Sequence, residues 1–210
     1  MIAHLDELAA PLDALRADAE RIERWGRRLA GVLLPGGRLL AAGNGGSASQ
    51  AQHLTSELVG RYREERPPLS AIALCTDGPA VTAIGNDYGV VDQFARQVRA
   101  HGRPGDVLVA LSTSGRSPNI LAAVEAARET EMTTWALSGH SGNPLALASD
   151  DALCVDAPQT ATIQEIHLIA IHMLCETLDA ALGAHENGEL PLVRSFARER
   201  RGGGVGGAAA

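Results

Sequence analysis

Lysine is absent from this 210-residue chain; all 18 basic residues are arginine. Without lysine no catalytic Schiff base can form and no pyridoxal phosphate can be anchored. An ordinary P-loop nucleotide triphosphatase and a standard protein kinase are excluded for the same reason. Aromatic residues are also scarce, at 3%. The core must therefore come from Ala, Leu, Val and Ile, and little remains to build base-stacking platforms for single-stranded nucleic acid. A net charge of −7 likewise lacks the electrostatic footprint of a general nucleic-acid binder. Cys75, Cys154 and Cys175 are widely spaced and form no C-x-x-C. They read as reduced thiols of a cytoplasmic protein, not as a disulfide frame or a cysteine zinc site. Met1–Trp25 is charged throughout and has no apolar signal core. No run reads as long and apolar enough to span a bilayer. The expectation is a soluble, cytoplasmic protein with neither a nucleic-acid nor a membrane partner.

What is present is an ordinary globular balance, 45% hydrophobic and 20% charged, in a length that suits one domain. The first 34 residues read as helix. Leu5, Leu8, Leu12, Leu15, Ala19, Ile22, Gly26, Leu29 and Leu33 follow a heptad-like spacing, with Pro11 as a kink or restart. Such a seam packs either on its own domain or on another subunit. After Pro35-Gly36-Gly37 short apolar runs alternate with helical patterns. Arg38–Ala42, Leu69–Leu74, Asp106–Leu111, Thr133–Leu137 and Ala152–Val155 read as strands. Helices fall near 47–62, 89–101, 117–130 and 143–148. Alternation of this kind predicts an α/β sandwich, with a parallel sheet covered on both faces. Thr162–Leu182 predicts a long helix, apolar nearly all round, as in an oligomer core. Three regions follow: an N-terminal helical segment for oligomer packing (1–36), the main domain (37–185) and a disordered tail (186–210).

Two polar loops stand out. Gly43-Asn44-Gly45-Gly46-Ser47 follows the first strand and opens a helix, where free N–H groups face an anion. It matches a loose G-x-G-x-x-A dinucleotide pattern through Ala48, but only Asp77 stands near the acidic position such a site wants. Ser112-Thr113-Ser114-Gly115-Arg116-Ser117 follows the third strand and offers hydroxyls and amides to a phosphate without lysine. Helix capping alone accounts for some of these hydroxyls. In a sheet of order 2-1-3-4-5 both loops line the crevice at the topological switch point. His53 and Glu57, four apart, share one helix face. Gln164 and His172 are offset by roughly 80° at 3.6 residues per turn, so both can point into one pocket. Glu165 and His167 point elsewhere and read as structural. A lone helical histidine is usually structural too, but four polar groups on apolar helices are costly to bury without a role.

G-N-G-G-S, A-Q-H-x-x-x-E-L-x-G-R (Ala51–Arg61), G-N-D-Y (85–88), S-T-S-G (112–115) and I-Q-E-I-H (163–167) occur in this order. Together they closely resemble the sugar isomerase (SIS) domain family, and within it the phosphoheptose isomerases, over residues 1–185. The resemblance implies a three-layer α/β sandwich with a five-stranded parallel sheet of order 2-1-3-4-5. It also implies a homotetramer with sites between subunits. His53, Glu57, Gln164 and His172 would hold one zinc ion per subunit. Asn44, Gly45, Gly46, Ser47, Glu57, Arg61, Asn86, Asp87, Ser112, Thr113, Ser114, Ser117 and Gln164 would bind a phosphorylated sugar. Glu57 and His172 would be the acid–base pair that interconverts sedoheptulose 7-phosphate and D-glycero-D-manno-heptose 7-phosphate through an enediol. Gln50 and Arg116 stand where the family commonly has Asp and Asn, and residues 159–162 also differ from frequent family forms. These differences bear on which sugar is taken. A related heptulose or octulose phosphate is the alternative substrate, and a non-catalytic SIS phosphosugar-binding regulator the alternative class.

Overall fold

The computed structural model describes residues 2–186; the expected tail from 187 onward lies outside them. Five strands, β1 (Leu39–Gly43), β2 (Ala71–Ala73), β3 (Val107–Ser112), β4 (Thr133–Ser138) and β5 (Asp151–Cys154), form one sheet of order β2-β1-β3-β4-β5. All neighbours are parallel. The expected fold class holds. The strands fall within a few residues of the expected runs, and β2 is shorter than Leu69–Leu74 suggested.

Among the described residues eight α-helices surround the sheet: α1 (Ile2–Ala14), α2 (Ala19–Leu33), α3 (Gly46–Val59), α4 (Gly78–Asp87), α5 (Asp92–His101), α6 (Pro118–Glu129), α7 (Pro144–Ala148) and α8 (Thr160–Glu186). Side chains alternate across the pleat, so each strand feeds two cores. Leu39, Ala41, Val107, Val109, Leu111, Trp135 and Leu137 pack under α2, α3 and α8. Leu40, Ala42, Leu108, Ala110 and Ala136 pack under α5 and α6. β1 and β3 are buried along their whole length, as a sheet covered on both faces requires.

The N-terminal stripe divides in two. Leu15, Ile22, Leu29 and Leu33 are buried in the same core as α8, while Ile2, Leu5 and Leu12 are exposed. Pro11 stays inside α1; the break falls at a 3₁₀ turn, Leu15–Asp18. Trp25 anchors α2 to the sheet. Its ring stacks on Trp135 (centroids 4.8 Å apart, planes 3° from parallel), and its Nε1–H donates to Asp151 Oδ2 at 2.8 Å.

Two features differ from expectation. The sequence shows no clear helix over 78–87, yet α4 is there, started by Asp77, whose Oδ1 accepts from the Ala80 amide at 3.0 Å. Two glycines, a proline and the absence of any buried residue erase the periodicity that would reveal it. Conversely, no run was expected to pass for a membrane span, but Thr160–Gly183 does so by length and composition. Half of its most apolar stretch is buried inside the domain. α8 must cover the sheet on one side and pack along α2 on another, and both contacts demand apolar residues.

Candidate functional site

The order β2-β1-β3-β4-β5 places the switch point between β1 and β3, and both polar loops leave the carboxyl ends of those strands. Asn44, Gly45 and Gly46 are exposed at the crevice, while Ser47 is buried in the first turn of α3. The side-chain amide of Asn44 makes a reciprocal pair with Asn119 on the first turn of α6, each donating to the other at 2.9 Å. Across the crevice, the Ser112 hydroxyl lies 3.1 Å from that of Ser117 and 3.5 Å from that of Ser114. The Arg116 amide donates to Ser114 Oγ at 3.2 Å. Gly115 holds a left-handed φ of +61° and leaves no room for a Cβ against Asn143. Asn143 in turn donates to Ser138 Oγ at 2.7 Å and caps α7 by accepting from the Ala146 amide. The serine loop is thus braced from β4 and from α7.

A second cluster joins α3 to α8. His53 Nε2 lies 2.9 Å from His172 Nε2 and 3.4 Å from Glu57 Oε1. One nitrogen and one oxygen on a single helix face follow from the i, i+4 spacing; His172 arrives from 119 residues away. His53, Glu57 and His172 could hold a metal ion, since each offers a ligand atom and all three atoms lie within 4.8 Å of one another. The ring of Tyr62 lies over that of His172, centroids 5.7 Å apart. Beneath the cluster, Arg66 donates from Nη2 to the Glu57 carbonyl (2.6 Å), from Nη1 to the Leu58 carbonyl (3.0 Å) and from Nε to Asp179 Oδ1 (2.8 Å). This buried guanidinium satisfies the last carbonyls of α3 and fixes that helix to α8. Burial pushes the nearby Cys175 thiol up to about 12, and the negative charges of Glu57 and Asp179 add to the effect. Cys175 is therefore a neutral thiol at physiological pH.

Gln164 stands between the two clusters. Its amide lies against Gly46, where a Cβ would meet Nε2 and Oε1 at 2.5 Å. Its carbonyl accepts from Gln50 Nε2, so the residue that departs from the family pattern braces a site residue through its backbone. Asn86 and Asp87 sit exposed at the end of α4 and bond to each other at 2.8 Å. Arg61 is exposed, and it bonds the Arg63 carbonyl. The Thr113 carbonyl packs against Gly139. Glu165 pairs with His4 at 2.9 Å. The fully buried His167 donates from Nε2 to the Ser138 carbonyl at 3.0 Å. Asp77 is engaged as a helix cap, which removes the acidic group of the dinucleotide pattern. Sequence reasoning passed over Asn119, Asn143, Tyr62 and Arg66. Only Asn119 had a signal, an amide residue at the start of the helix that follows a phosphate-type loop.

The topology and these loops are the frame of a phosphosugar-binding α/β domain, and the SIS domain model matches residues 3–139. Among known proteins, the chain is 63% identical to the phosphoheptose isomerase of Streptomyces coelicolor over 188 residues, covering 90% of this chain and 81% of that one. The solved phosphoheptose isomerase of Neisseria gonorrhoeae superposes with a TM-score of 0.79 at 42% identity, over 85% of this chain and 96% of that one. That of Francisella tularensis gives 0.74 at 38%, over 84% and 98%. The chain belongs to the SIS domain family, in its phosphoheptose isomerase group, and is an isomerase.

Proposed function

We propose that the protein interconverts sedoheptulose 7-phosphate and D-glycero-D-manno-heptose 7-phosphate, with Glu57 and His172 as its acid–base pair. The observation that carries the reading is the convergence of Glu57, His53 and His172 beside a lysine-free crevice rich in hydroxyls and amides. The phosphate is held by Ser112, Thr113, Ser114 and Ser117 and by the amides at the start of α6. Asn44–Ser47, Arg61, Asn86, Asp87 and Gln164 contact the sugar.

The Glu57 carboxylate takes a proton from C1 of the open-chain ketose. The C–H electron pair becomes the C1–C2 double bond, and the C2 carbonyl pair moves onto O2, giving an enediolate. Glu57 returns the proton to C2 as the C1 carbonyl forms. His172 moves the oxygen proton from O1 to O2. The donor set fits zinc, with two imidazole nitrogens and a carboxylate from His53, His172 and Glu57, and Gln164 as the fourth ligand. A zinc ion there would polarise the carbonyl oxygen. His172 Nε2 serves as ligand or as proton carrier, not as both at once.

The assembly in this reading is a homotetramer with sites between subunits, packed through the N-terminal segment. The exposed Ile2, Leu5 and Leu12 of α1 support it. Three free thiols support a cytoplasmic location.

The test is incubation with sedoheptulose 7-phosphate, with and without zinc, followed by NMR for the aldose. Conversion that falls by about 10²–10⁴ in Glu57→Gln supports the mechanism. An inert wild type that turns over an octulose phosphate instead overturns the substrate. Equal turnover by Glu57→Gln overturns the mechanism.

A further inference from the structure

The geometry points to Asn119 as a positioning residue that holds the glycine loop in its working shape through the side chain of Asn44. The inference rests on the isomerase reading of the site and adds one positioning side chain to it.

Asn44 and Asn119 are 75 residues apart and meet by two equal hydrogen bonds of 2.9 Å, each amide donating once and accepting once. Such a pair leaves each side chain with no free group facing the other and requires an amide on both sides. A carboxylate at either position would face an amide oxygen with no proton between them. Asn119 is buried, so breaking the pair leaves a polar group poorly hydrated, and that cost holds the link closed. The two partners bridge the switch point itself, one in the loop after β1 and the other on the helix after the serine loop. The backbone carbonyl of Asn44 accepts from the amides of Ser47 (3.0 Å) and Ala48 (3.3 Å). Holding the Asn44 side chain therefore also holds the first turn of α3. That turn places Gly46 against Gln164 and leads into His53 and Glu57. One amide pair thus sets the spacing between the phosphate-holding loop and the acid–base helix. Among the described residues the serine hydroxyls and the His–Glu cluster bond within their own groups and not to each other, whereas Asn44–Asn119 is a direct side-chain link between the two loops.

A double-mutant cycle separates this role from direct sugar contact. Asn44→Ala, Asn119→Ala and the double variant are compared for kcat and KM on sedoheptulose 7-phosphate, for thermal unfolding, and for hydrogen exchange at the Ser47 and Ala48 amides. Each single variant is expected to lower kcat/KM about tenfold, a loss of about 1.4 kcal/mol. The double variant is expected to be no worse than the weaker single, because both remove one link. Asn119→Ala should speed exchange at Ser47 and Ala48, and Asn119→Asp should be at least as damaging as Asn119→Ala. Losses that multiply to about a hundredfold in the double variant would mean that the residues act independently, and would overturn the proposal. So would normal turnover per folded molecule in Asn119→Ala with only a lowered melting temperature. If the wild type does not turn over the sugar, the function fails and the exchange arm alone decides the link: unchanged exchange in Asn119→Ala overturns it.

Discussion

His53 and His172 present Nε2 to Nε2 at 2.9 Å, one from α3 and the other from α8. One ring N–H directed at the bare nitrogen of the other accounts for this contact, whereas two zinc–nitrogen bonds at a tetrahedral angle hold the nitrogens about 3.3 Å apart, so a bound zinc requires the rings to separate by a few tenths of an ångström. Glu57 Oε1, 3.4 Å from His53 Nε2, completes a nitrogen, nitrogen, oxygen set. His53→Ala or His172→Ala should weaken zinc binding at least about tenfold, measured by competition with a chromophoric chelator. Outer positions alone reach that size at known zinc sites. Unchanged affinity in both variants would remove the metal from this cluster.

His167 sets a pH limit on stability. Burial pushes its pKa down to about 4 from an ordinary 6.5, and the hydrogen bond to the Ser138 carbonyl opposes the shift without cancelling it. The native state keeps the ring neutral while the unfolded chain takes up a proton. The contribution is therefore complete above pH 6.5 and is lost as the pH falls toward 4. Near pH 4 the loss is about 3 kcal/mol, since each decade of proton affinity is about 1.4 kcal/mol. Urea midpoints measured from pH 7.5 to 4 should fall more steeply for the wild type than for His167→Gln, which has no ring to protonate. Parallel curves would show that His167 does not carry the acid sensitivity.

What the sequence revealed depended on how local each cause was. The buried β1 and β3 announce themselves as short apolar runs, because both faces of each strand are covered. His53 and Glu57 are legible as a pair from helix geometry alone, and the phase of Gln164 against His172 places both on a usable side of α8. α4 was invisible because its contacts with the rest of the domain bury none of its residues. Asn44–Asn119 and Arg66–Asp179 were invisible for another reason. Each is an ordinary polar residue whose partner is 75 or 113 positions away, and no periodicity marks such a pair. The apolar surface of α8 was legible, but its division between the sheet and α2 was not.

Arg66 and Asp179 form a pair whose side chains are only 7% and 16% exposed. Arg66→Leu strands the Asp179 carboxylate in a poorly hydrated place and frees the carbonyls of Glu57 and Leu58. Removal of one partner from a buried pair costs about 3–5 kcal/mol. Chemical denaturation should show a loss of that size for Arg66→Leu. The double change Arg66→Leu with Asp179→Leu should recover part of it, since no unpaired charge remains. A single variant within about 0.5 kcal/mol of the wild type would mean that water reaches the carboxylate.

Gly46→Ala tests whether Gln164 belongs to the working site. An added Cβ would meet the end of the Gln164 side chain at 2.5 Å. That end is flexible, so the glutamine moves aside at little cost to the fold, and melting should shift by less than the several degrees that about 1 kcal/mol produces in a domain of this size. The displaced amide can no longer stand where a fourth ligand or a sugar contact is required. Gly46→Ala should therefore keep its fold and lose activity on the order of 10²-fold, as small misplacements at a reacting centre do. Gln164→Ala should match it, and the two changes combined should add little. Full activity in Gly46→Ala would place Gln164 outside the chemistry, whereas loss of fold would mean that the glutamine side chain is held more rigidly than its place in the first turns of α8 suggests.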